Sequence, residues 1–440
     1  MSVAVSNKIV WVNQSERMRI LQIASGDFFS TYGGGQVYVK NIVDEMIRQG
    51  YSLTVISFIA RNTVIEKKQY KSIDLYEVGN CGLNQLQELI NKLHPDIIHA
   101  HSHKAQVVSI GNNLHIPVVV TAHHGGILCP AGTLLNSKDE ICHTAVSHEH
   151  CLSCCLRNIR SGRYWYPMMR LIPRNLYQKL GVGLSRLPFI PFVSPIGSVA
   201  WSITRKQQEW KTIVEGCSRM IAPCSAIAEA MQRNGLNLHK IDLLPHGIPL
   251  PATIPDFPPI IDGRIKFFYV GRICYVKGLH ILLQAFSQLR NPNAELHLIG
   301  GSGNKTEKRY EAALRKRFAS DQRIVWHGKV APDEVFDVIS QFHVAVSVPI
   351  YMEIFGLNIA EALAMGKPVL ATRCGGAEVQ IEDGVNGWLV EPDDVDFLAR
   401  KLREISTNFT TYNPVLSTQR VISIRRHCKA LMQIYEEVAH

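Results

Sequence analysis

Long unbroken apolar runs are missing from this 440-residue chain. A membrane-spanning helix needs about 18 or more consecutive apolar residues. The stretch "LPFIPFVSPIGSVAW" comes nearest, but Pro188, Pro191 and Pro195 interrupt it. The pattern argues against a membrane span, although it does not argue against a segment that lies on a membrane surface.

A secretory signal is also missing, because polar residues break the first stretch, "MSVAVSNKIVWVNQSERMRIL". We therefore expect a cytoplasmic protein, peripheral on the inner face of the membrane if it contacts one. Charged residues make up 19% of the chain and hydrophobic residues 46%. That composition is typical of a folded globular protein and too apolar for a disordered one.

Acidic residues are scarce in one part of the chain. The formal net charge is +10, and residues 156–211 hold ten Lys or Arg against one acid, Glu209. A basic stretch with aromatics and prolines suits an anionic membrane surface or a lipid-linked diphosphate acceptor. A solvated basic surface is the alternative explanation of the same segment.

The length indicates two domains, because single hydrophobic cores usually stop growing well before 440 residues. Short β-branched runs alternate with helix-period stretches, which is typical of an α/β fold with parallel sheets. In the first half we predict strands at Met18–Ser25, Ser52–Phe58, Asp96–Ser102, Ile116–His123, Arg219–Ala222 and Ile241–Pro245. In the second half the predicted strands are "IKFFYVGRI", "AELHLIGGSG", "RIVWHGKV", "HVAVSVP", "PVLATRCGG" and "GWLVEP".

The proline-rich stretch "GIPLPATIPDFPPIIDG" resists both helix and central strand, so we place the domain boundary there. The predicted parts are an N-terminal extension at 1–17, a first domain at 18–250, a linker at 251–263 and a second domain at 264–440. An insertion at about 129–211, rich in Cys, Arg, Pro and aromatics, interrupts the first domain. Two facing Rossmann-like domains would place a ligand in the cleft between them.

Two glutamates flank the start of a predicted helix in "YMEIFGLNIAEALAMG". The helix should begin at Leu357 or Asn358 and end before Gly366. Its first N–H groups suit a phosphate, Glu361 a ribose diol, and Glu353 the hydroxyls of a second sugar. The pattern predicts a site for a nucleoside diphosphate sugar. The alternative is that both acids only complement the helix dipole.

Two cations follow the first strand of the second domain in "YVGRICYVKG". Arg272 and Lys277 stand between a strand end and a helix, where the cleft is expected. Fixed cations there can neutralise a diphosphate and stabilise it as a leaving group. Solvated surface charges are the alternative.

These motifs together resemble a known family. G-R-x₄-K-G at 271–278, E-x₇-E at 353–361 with "FGLN" between, G-G-x-E at 375–378 and "DGVNGWLVEPDD" are similar to the retaining glycosyltransferases of family four, which have the GT-B fold. In the first domain, "YGGGQVYVKNIVDEMIRQGYSLTVIS", "PDIIHAHS", "VVVTAH" and "LLPHGI" resemble the same family. His246 stands where the family has asparagine.

The resemblance implies transfer of a sugar, with retention of configuration, from a nucleoside diphosphate sugar to a carbohydrate or lipid-linked acceptor. It favours UDP or GDP as the carrier, implies a role in glycan or polysaccharide biosynthesis, and implies no catalytic divalent metal. The implied catalytic residues are His123, Arg272, Lys277 and Glu353. The implied donor-binding residues are Gly34, Gly35, Gly271, Arg272, Lys277, Glu353, Phe355, Gly356, Leu357, Asn358 and Glu361.

Cysteines crowd the insertion, in "CPAGTLLNSKDEICHTAVSHEHCLSCC". The C-x₂-C pair Cys151 and Cys154, with Cys129 and Cys142, could provide four ligands to a structural zinc ion. An iron–sulfur cluster also uses four cysteines, and unmetallated thiols are a third explanation.

Two other functions fit parts of the sequence. A GT-B epimerase would act on the nucleotide sugar itself, without an acceptor. A nucleic-acid-binding protein would explain the pI of about 9.0 and the Cys/His cluster. We expect no nucleic-acid partner, because the excess charge lies in one insertion whereas the acids and glycines belong to both domains.

Overall fold

The computed structural model describes residues 18–24, 28–29, 33–59, 65–79, 81–157, 194–409 and 414–439, with single positions at 171, 173 and 176. Within these residues each half of the sequence builds one mainly parallel sheet. The predicted α/β class with two Rossmann-like sheets is therefore confirmed. The predicted extension at 1–17 and most of the basic segment 156–211 lie outside the described residues.

Eight strands form the first sheet, in the order β3-β4-β2-β1-β5-β6-β7-β8. They are β1 Arg19–Ala24, β2 Ser52–Phe58, β3 Ile65–Tyr70, β4 Ile73–Val78, β5 Ile97–Ala100, β6 Val118–Thr121, β7 Arg219–Ala222 and β8 Ile241–Leu243. Only β3 runs antiparallel to its neighbour. Sequence analysis missed the β3–β4 hairpin because the edge strand, "IEKKQY", is largely exposed and has no apolar face.

Six parallel strands form the second sheet, in the order β11-β10-β9-β12-β13-β14. They are β9 Ile265–Val270, β10 Ala294–Ile299, β11 Ile324–Gly328, β12 Val344–Ser347, β13 Val369–Thr372 and β14 Gly387–Val390. All six predicted strands of this half are present.

The helices of the described residues mostly connect these strands. They are α1 Gly34–Arg48, α2 Leu83–Leu93, α3 Lys104–Leu114, α4 His148–Arg157, α5 Ser194–Gly216, α6 Ser225–Arg233, α7 Leu279–Ser287, α8 Lys305–Arg317, α9 Val335–Ser340, α10 Leu357–Ala364, α11 Gly376–Gln380, α12 Val395–Asn408, α13 Pro414–Thr418 and α14 Ile424–Ala439. None of these helices combines the length and the apolar character needed to cross a bilayer.

Two inner strands of each sheet are buried along their whole length. Every residue of β5, β6, β12 and β13 is buried. Strands covered on both faces show continuous apolar runs instead of alternation. The carboxyl ends of such strands are the places where an open parallel sheet can present polar groups to a ligand.

The last helix, α14, packs against the first sheet although it follows the second in sequence. Leu431 and Tyr435 of α14 are fully buried in one apolar cluster with Ile20 of β1 and Tyr38 of α1. The chain thus passes twice between the sheets. The two passages are hydrogen-bonded to each other near Ile248, whose N–H donates to the Ile422 carbonyl at 3.0 Å.

Replacing Leu431 by Ala should lower the free energy of unfolding by about 2–4 kcal/mol, because it leaves a cavity in the contact between α14 and the first sheet. Urea denaturation measures the change. Gln433→Ala, on the exposed side of the same helix, is the control and should change stability by less than about 0.5 kcal/mol. Equal effects of the two substitutions would contradict the packing.

Candidate active site

The cleft lies where the amino end of α1 meets the amino end of α10. A methyl group at Gly34 would stand 3.5 Å from Leu357 Cδ1, an ordinary contact distance, so the two helix ends lie side by side. His246, at the end of the first sheet, stacks on Tyr38 with ring centroids 3.8 Å apart and lies 5.1 Å from the Phe355 ring. The structure therefore brings predicted residues of both domains together.

Lys277 and Glu353 form an ion pair at the centre of the second domain's side of the cleft. The hydroxyl of Tyr351 donates to the same Glu353 oxygen at 3.0 Å. Burial alone would lower the pKa of Lys277, but the Glu353 carboxylate, together with Tyr351 and Tyr269, outweighs that effect and raises the pKa. Lys277 is therefore a permanent cation at a site where the sequence predicts a diphosphate.

Gly278 lets Lys277 reach this position. It adopts a left-handed conformation, with φ of 71°, directly before α7. A methyl group there would lie 1.9 Å from the Val348 carbonyl oxygen. Since no side chain fits, the glycine after the lysine in the G-R-x₄-K-G motif is a steric requirement of the loop.

Arg272 stands apart from the ion pair. Its side chain is 56% exposed, and its Nε lies 3.6 Å from Glu307 Oε1. The loop that carries it is held because Tyr269 OH donates to the Arg272 carbonyl at 2.8 Å. An exposed guanidinium on a fixed backbone can turn towards an anion in the cleft without a large rearrangement.

The loop from Glu353 to Gly356 leads into α10, which begins at Leu357 as predicted. Gly356 has a left-handed φ of 78° and turns the chain into the helix. Backbone N–H groups in a first helical turn have no partner inside the helix. Those of Leu357 and Asn358 are thus suited to an anion.

Gln380 was missed by sequence analysis, although it holds two glycine-containing loops together. Its buried side-chain amide donates to the carbonyl oxygens of Phe355 and Gly376, the latter at 3.1 Å. The Gly376 N–H in turn donates to the Glu353 carbonyl at 2.7 Å. A methyl group at Gly376 would meet the Phe355 backbone at 2.4 Å, so this contact also requires glycine.

Glu361 lies in the second turn of α10. Burial raises the pKa of its carboxyl group to about 7. Near neutral pH the side chain is therefore close to half ionised, and a ligand that donates hydrogen bonds to the carboxylate would favour the charged form.

His123 follows β6 and faces α1. Its Cγ atom would lie 3.5 Å from a methyl group at Gly35, and its Nε2 is 2.9 Å from Nδ1 of His101. Burial lowers the pKa of His123 well below the ordinary value, so the ring is neutral. Sequence analysis singled out His123 but not its partner. The only available signal was the "HAHS" run at the end of β5.

The four cysteines predicted as metal ligands are not arranged as a metal centre in the structure. Within the part of the chain that the structure describes, no group of three or more His, Cys, Asp or Glu side chains is arranged to hold a metal ion. The thiol of Cys142 lies 3.2 Å from Thr144 Oγ1, and that of Cys154 lies 3.8 Å from the His150 carbonyl. Burial raises the pKa of Cys151 to about 12, so this thiol stays protonated without an ion.

Comparison with known proteins agrees with this geometry. Residues 32–148 match the family described as Glycosyltransferase Family 4, and residues 252–413 match Glycosyl transferases group 1. The chain is 30% identical over 234 residues to D-inositol 3-phosphate glycosyltransferase of Arthrobacter sp. strain FB24, covering 48% of this chain and 55% of that protein. It is 26% identical over 267 residues to glycogen synthase of Mycobacterium tuberculosis, covering 57% and 63%.

The matched stretch spans about half the length of the inositol phosphate enzymes that it resembles. Among solved structures, Anabaena HepE in complex with UDP and glucose superposes with a TM-score of 0.62 at 17% identity, covering 96% of this chain and all of that one. The lipopolysaccharide outer core galactosyltransferase WaaB has the same TM-score and coverage at 15% identity. The chain thus carries a Glycosyltransferase Family 4 domain at 32–148 and a Glycosyl transferases group 1 domain at 252–413, and it has the GT-B fold.

Proposed function

We propose that the protein transfers a sugar from a nucleoside diphosphate sugar to a carbohydrate or lipid-linked acceptor, with retention of anomeric configuration. The observation that carries the proposal is the partly buried Lys277–Glu353 pair, on the side of the cleft where the amino end of α10 meets Gly34. The lysine cation, the free helix amides and the nearby glycine loop form a cradle for a diphosphate, and Arg272 can reach the same ligand.

In this proposal each part of the donor meets a different chemical group. Lys277, Arg272 and the first amides of α10 bind the diphosphate, and the Gly34–Gly35 backbone approaches it from the other domain. Glu361 accepts hydrogen bonds from the ribose hydroxyls. Glu353 is released from Lys277 when the diphosphate binds, and its carboxylate then accepts hydroxyls of the transferred sugar.

The reaction is a displacement at the anomeric carbon. The bond from that carbon to the diphosphate oxygen breaks, and a bond to the acceptor oxygen forms on the same face. The acceptor proton passes to the departing diphosphate. Lys277 and Arg272 stabilise the negative charge that develops on the leaving group, which supplies most of the rate enhancement.

Support for the donor and acceptor classes also comes from the similar proteins. HepE was solved with UDP and glucose, and the named relatives act on inositol phosphate and glycogen. We propose a UDP-sugar as donor and a hydroxyl-rich acceptor. The basic segment 156–211 suits contact with an anionic membrane surface, which a lipid-linked acceptor would need.

A panel of UDP-, GDP- and ADP-sugars should reveal one donor that raises the melting temperature of the protein and is turned over. Turnover should accelerate when a hydroxyl-rich acceptor is added, and the product should keep the anomeric configuration by NMR. Conversion of the donor into another nucleotide sugar without any acceptor would instead identify an epimerase. No thermal shift with any member of the panel would contradict the proposal.

Glu361→Gln should weaken donor binding by about 1–3 kcal/mol in calorimetry, because the ribose hydroxyls lose a charged acceptor. The wild-type affinity should rise with pH between 6 and 8, as the carboxyl group ionises near its pKa of about 7. In the variant this rise should disappear.

The same ionisation acts on stability with the opposite sign. The pKa of Glu361 is raised above the ordinary value of 4.5, so its contribution to the free energy of unfolding is fully present below pH 4.5, where the carboxyl group is protonated. That contribution is lost as the pH rises towards 7 and the buried group ionises. Glu404→Gln, on the exposed face of α12, is the control and should alter neither dependence. An unchanged donor affinity in Glu361→Gln would remove Glu361 from the site.

We further propose that the insertion binds zinc through Cys129, Cys142, Cys151 and Cys154. Cys142 follows a short antiparallel bridge between Leu135 and Ile141. Cys151 and Cys154 stand three residues apart on α4. The thiols lie near enough for each to raise the pKa of Cys151. Zinc would draw them to the ligand distance of about 2.3 Å and hold them as thiolates.

Purified protein should contain about one zinc atom per chain by elemental analysis, and Cys154→Ser should lose it. Cys217→Ser is the control, because this buried cysteine lies outside the cluster, and it should keep the metal. Iron in place of zinc would identify the cluster as an iron–sulfur site. A native protein free of both metals would exclude the proposal.

A further inference from the structure

A chain of buried hydrogen bonds leads away from His123 into the first domain. His123 Nε2 is 2.9 Å from His101 Nδ1, and His101 Nε2 is 2.8 Å from the side-chain oxygen of Gln22. The Gln22 amide nitrogen donates to Tyr435 OH at 3.1 Å. Gln22, His101 and Tyr435 are at most 2% exposed, so water does not compete for these bonds.

The direction of each bond follows from the chemistry of Gln22. Its side-chain oxygen can only accept, so His101 Nε2 must carry the hydrogen. Burial lowers the pKa of His101 well below the ordinary value, and a neutral ring has only one N–H. His101 Nδ1 is therefore an acceptor.

The position of the hydrogen on the His123 ring follows from the same argument. Because His101 Nδ1 accepts, His123 Nε2 must donate, and the neutral His123 ring keeps a lone pair on Nδ1. That nitrogen is buried and has no hydrogen-bond partner within the described residues. It would lie 3.7 Å from a methyl group at Gly35, which places it beside the loop that meets α10 across the cleft.

A second branch keeps Gln22 in this orientation. Tyr435 OH is 2.5 Å from His99 Nδ1, and His99 Nε2 is 2.7 Å from Thr121 Oγ1. Tyr435 can accept from the Gln22 amide nitrogen while its own hydrogen goes to His99. The Gln22 amide nitrogen also lies 3.8 Å from Met46 Sδ, which can only accept a hydrogen bond, so the nitrogen faces Tyr435 and the oxygen faces His101.

We propose that His101 is a positioning residue, held by Gln22 and by Tyr435 of the last helix, that keeps His123 in the Nε2–H form. His123 then offers a lone pair to a sugar hydroxyl in the cleft, and it cannot donate to one. The proposal rests on the proposed function for the ligand, but the tautomer follows from the protein alone. It also gives α14 a part in the site, since Tyr435 anchors the chain of bonds.

NMR of protein labelled with ¹⁵N-histidine tests the tautomer without any ligand. The His123 signals, assigned by their loss in His123→Gln, should show a protonated Nε2 and an unprotonated Nδ1. A protonated Nδ1 in the wild-type protein would overturn the proposal. This measurement does not depend on the folding of any His101 variant or on finding the donor.

Two substitutions of His101 separate positioning from packing. His101→Leu removes the acceptor, and we expect mixed His123 tautomers and a fall in kcat/KM of about tenfold. In His101→Asn the side-chain oxygen takes about the place of His101 Nδ1. This variant should therefore restore the single His123 tautomer and the wild-type kcat/KM. A deoxy donor that lacks the contacted hydroxyl should react equally well with wild-type protein and His101→Leu.

The chain provides a matched control in the second sheet. His297 Nδ1 and His327 Nε2 are also 2.9 Å apart, far from His123 in the sequence. His297→Leu should leave the His123 tautomer and kcat/KM unchanged. A His101→Leu protein with an unaltered His123 tautomer would overturn the positioning role, whereas absence of any sugar transfer, with the tautomer as expected, would contradict only the proposed function.

Discussion

The cleft depends on the ion pair between Lys277 and Glu353, because a charge that is largely shielded from water is unstable without its partner. The pair joins two loops that leave the carboxyl ends of neighbouring strands, β9 and β12. Through the Glu353 backbone it also positions Gly376. One electrostatic contact therefore sets the relative positions of the cation, the helix amides and the glycine loop.

Neutral histidine rings lie along the opposite wall of the cleft. Burial lowers the pKa of His99, His101 and His123, so these three rings carry no charge near neutral pH. The Lys104 ammonium group lies beside them and donates to the His101 carbonyl at 2.6 Å. A neutral network can fix proton positions without attracting the diphosphate away from Lys277. In the proposed mechanism, one wall holds the negative charge of the diphosphate and the other orients a sugar.

Sequence analysis predicted more of the second domain's part of this candidate site than of the first domain's part. Local rules for helix starts and glycine turns apply to that part. Glu353, Gly356 and Leu357 lie within five residues of one another, and Lys277 belongs to the short motif at 271–278. Gln22 and Tyr435 are 413 residues apart in sequence and meet only because α14 returns to the first sheet. No spacing rule connects such residues. The cysteine spacing indicated possible ligands, but it could not decide whether the thiols converge.

The sequence by itself determined the βα alternation of both halves and indicated the chemical types of the candidate donor site, because these follow from local periodicity and from residue chemistry. The tertiary structure alone decided that Lys277 pairs with Glu353, that Gln380 ties two loops and that the last helix supports His123. Those contacts join segments that no local preference brings together, and they form only when both sheets have packed and buried polar groups must find partners.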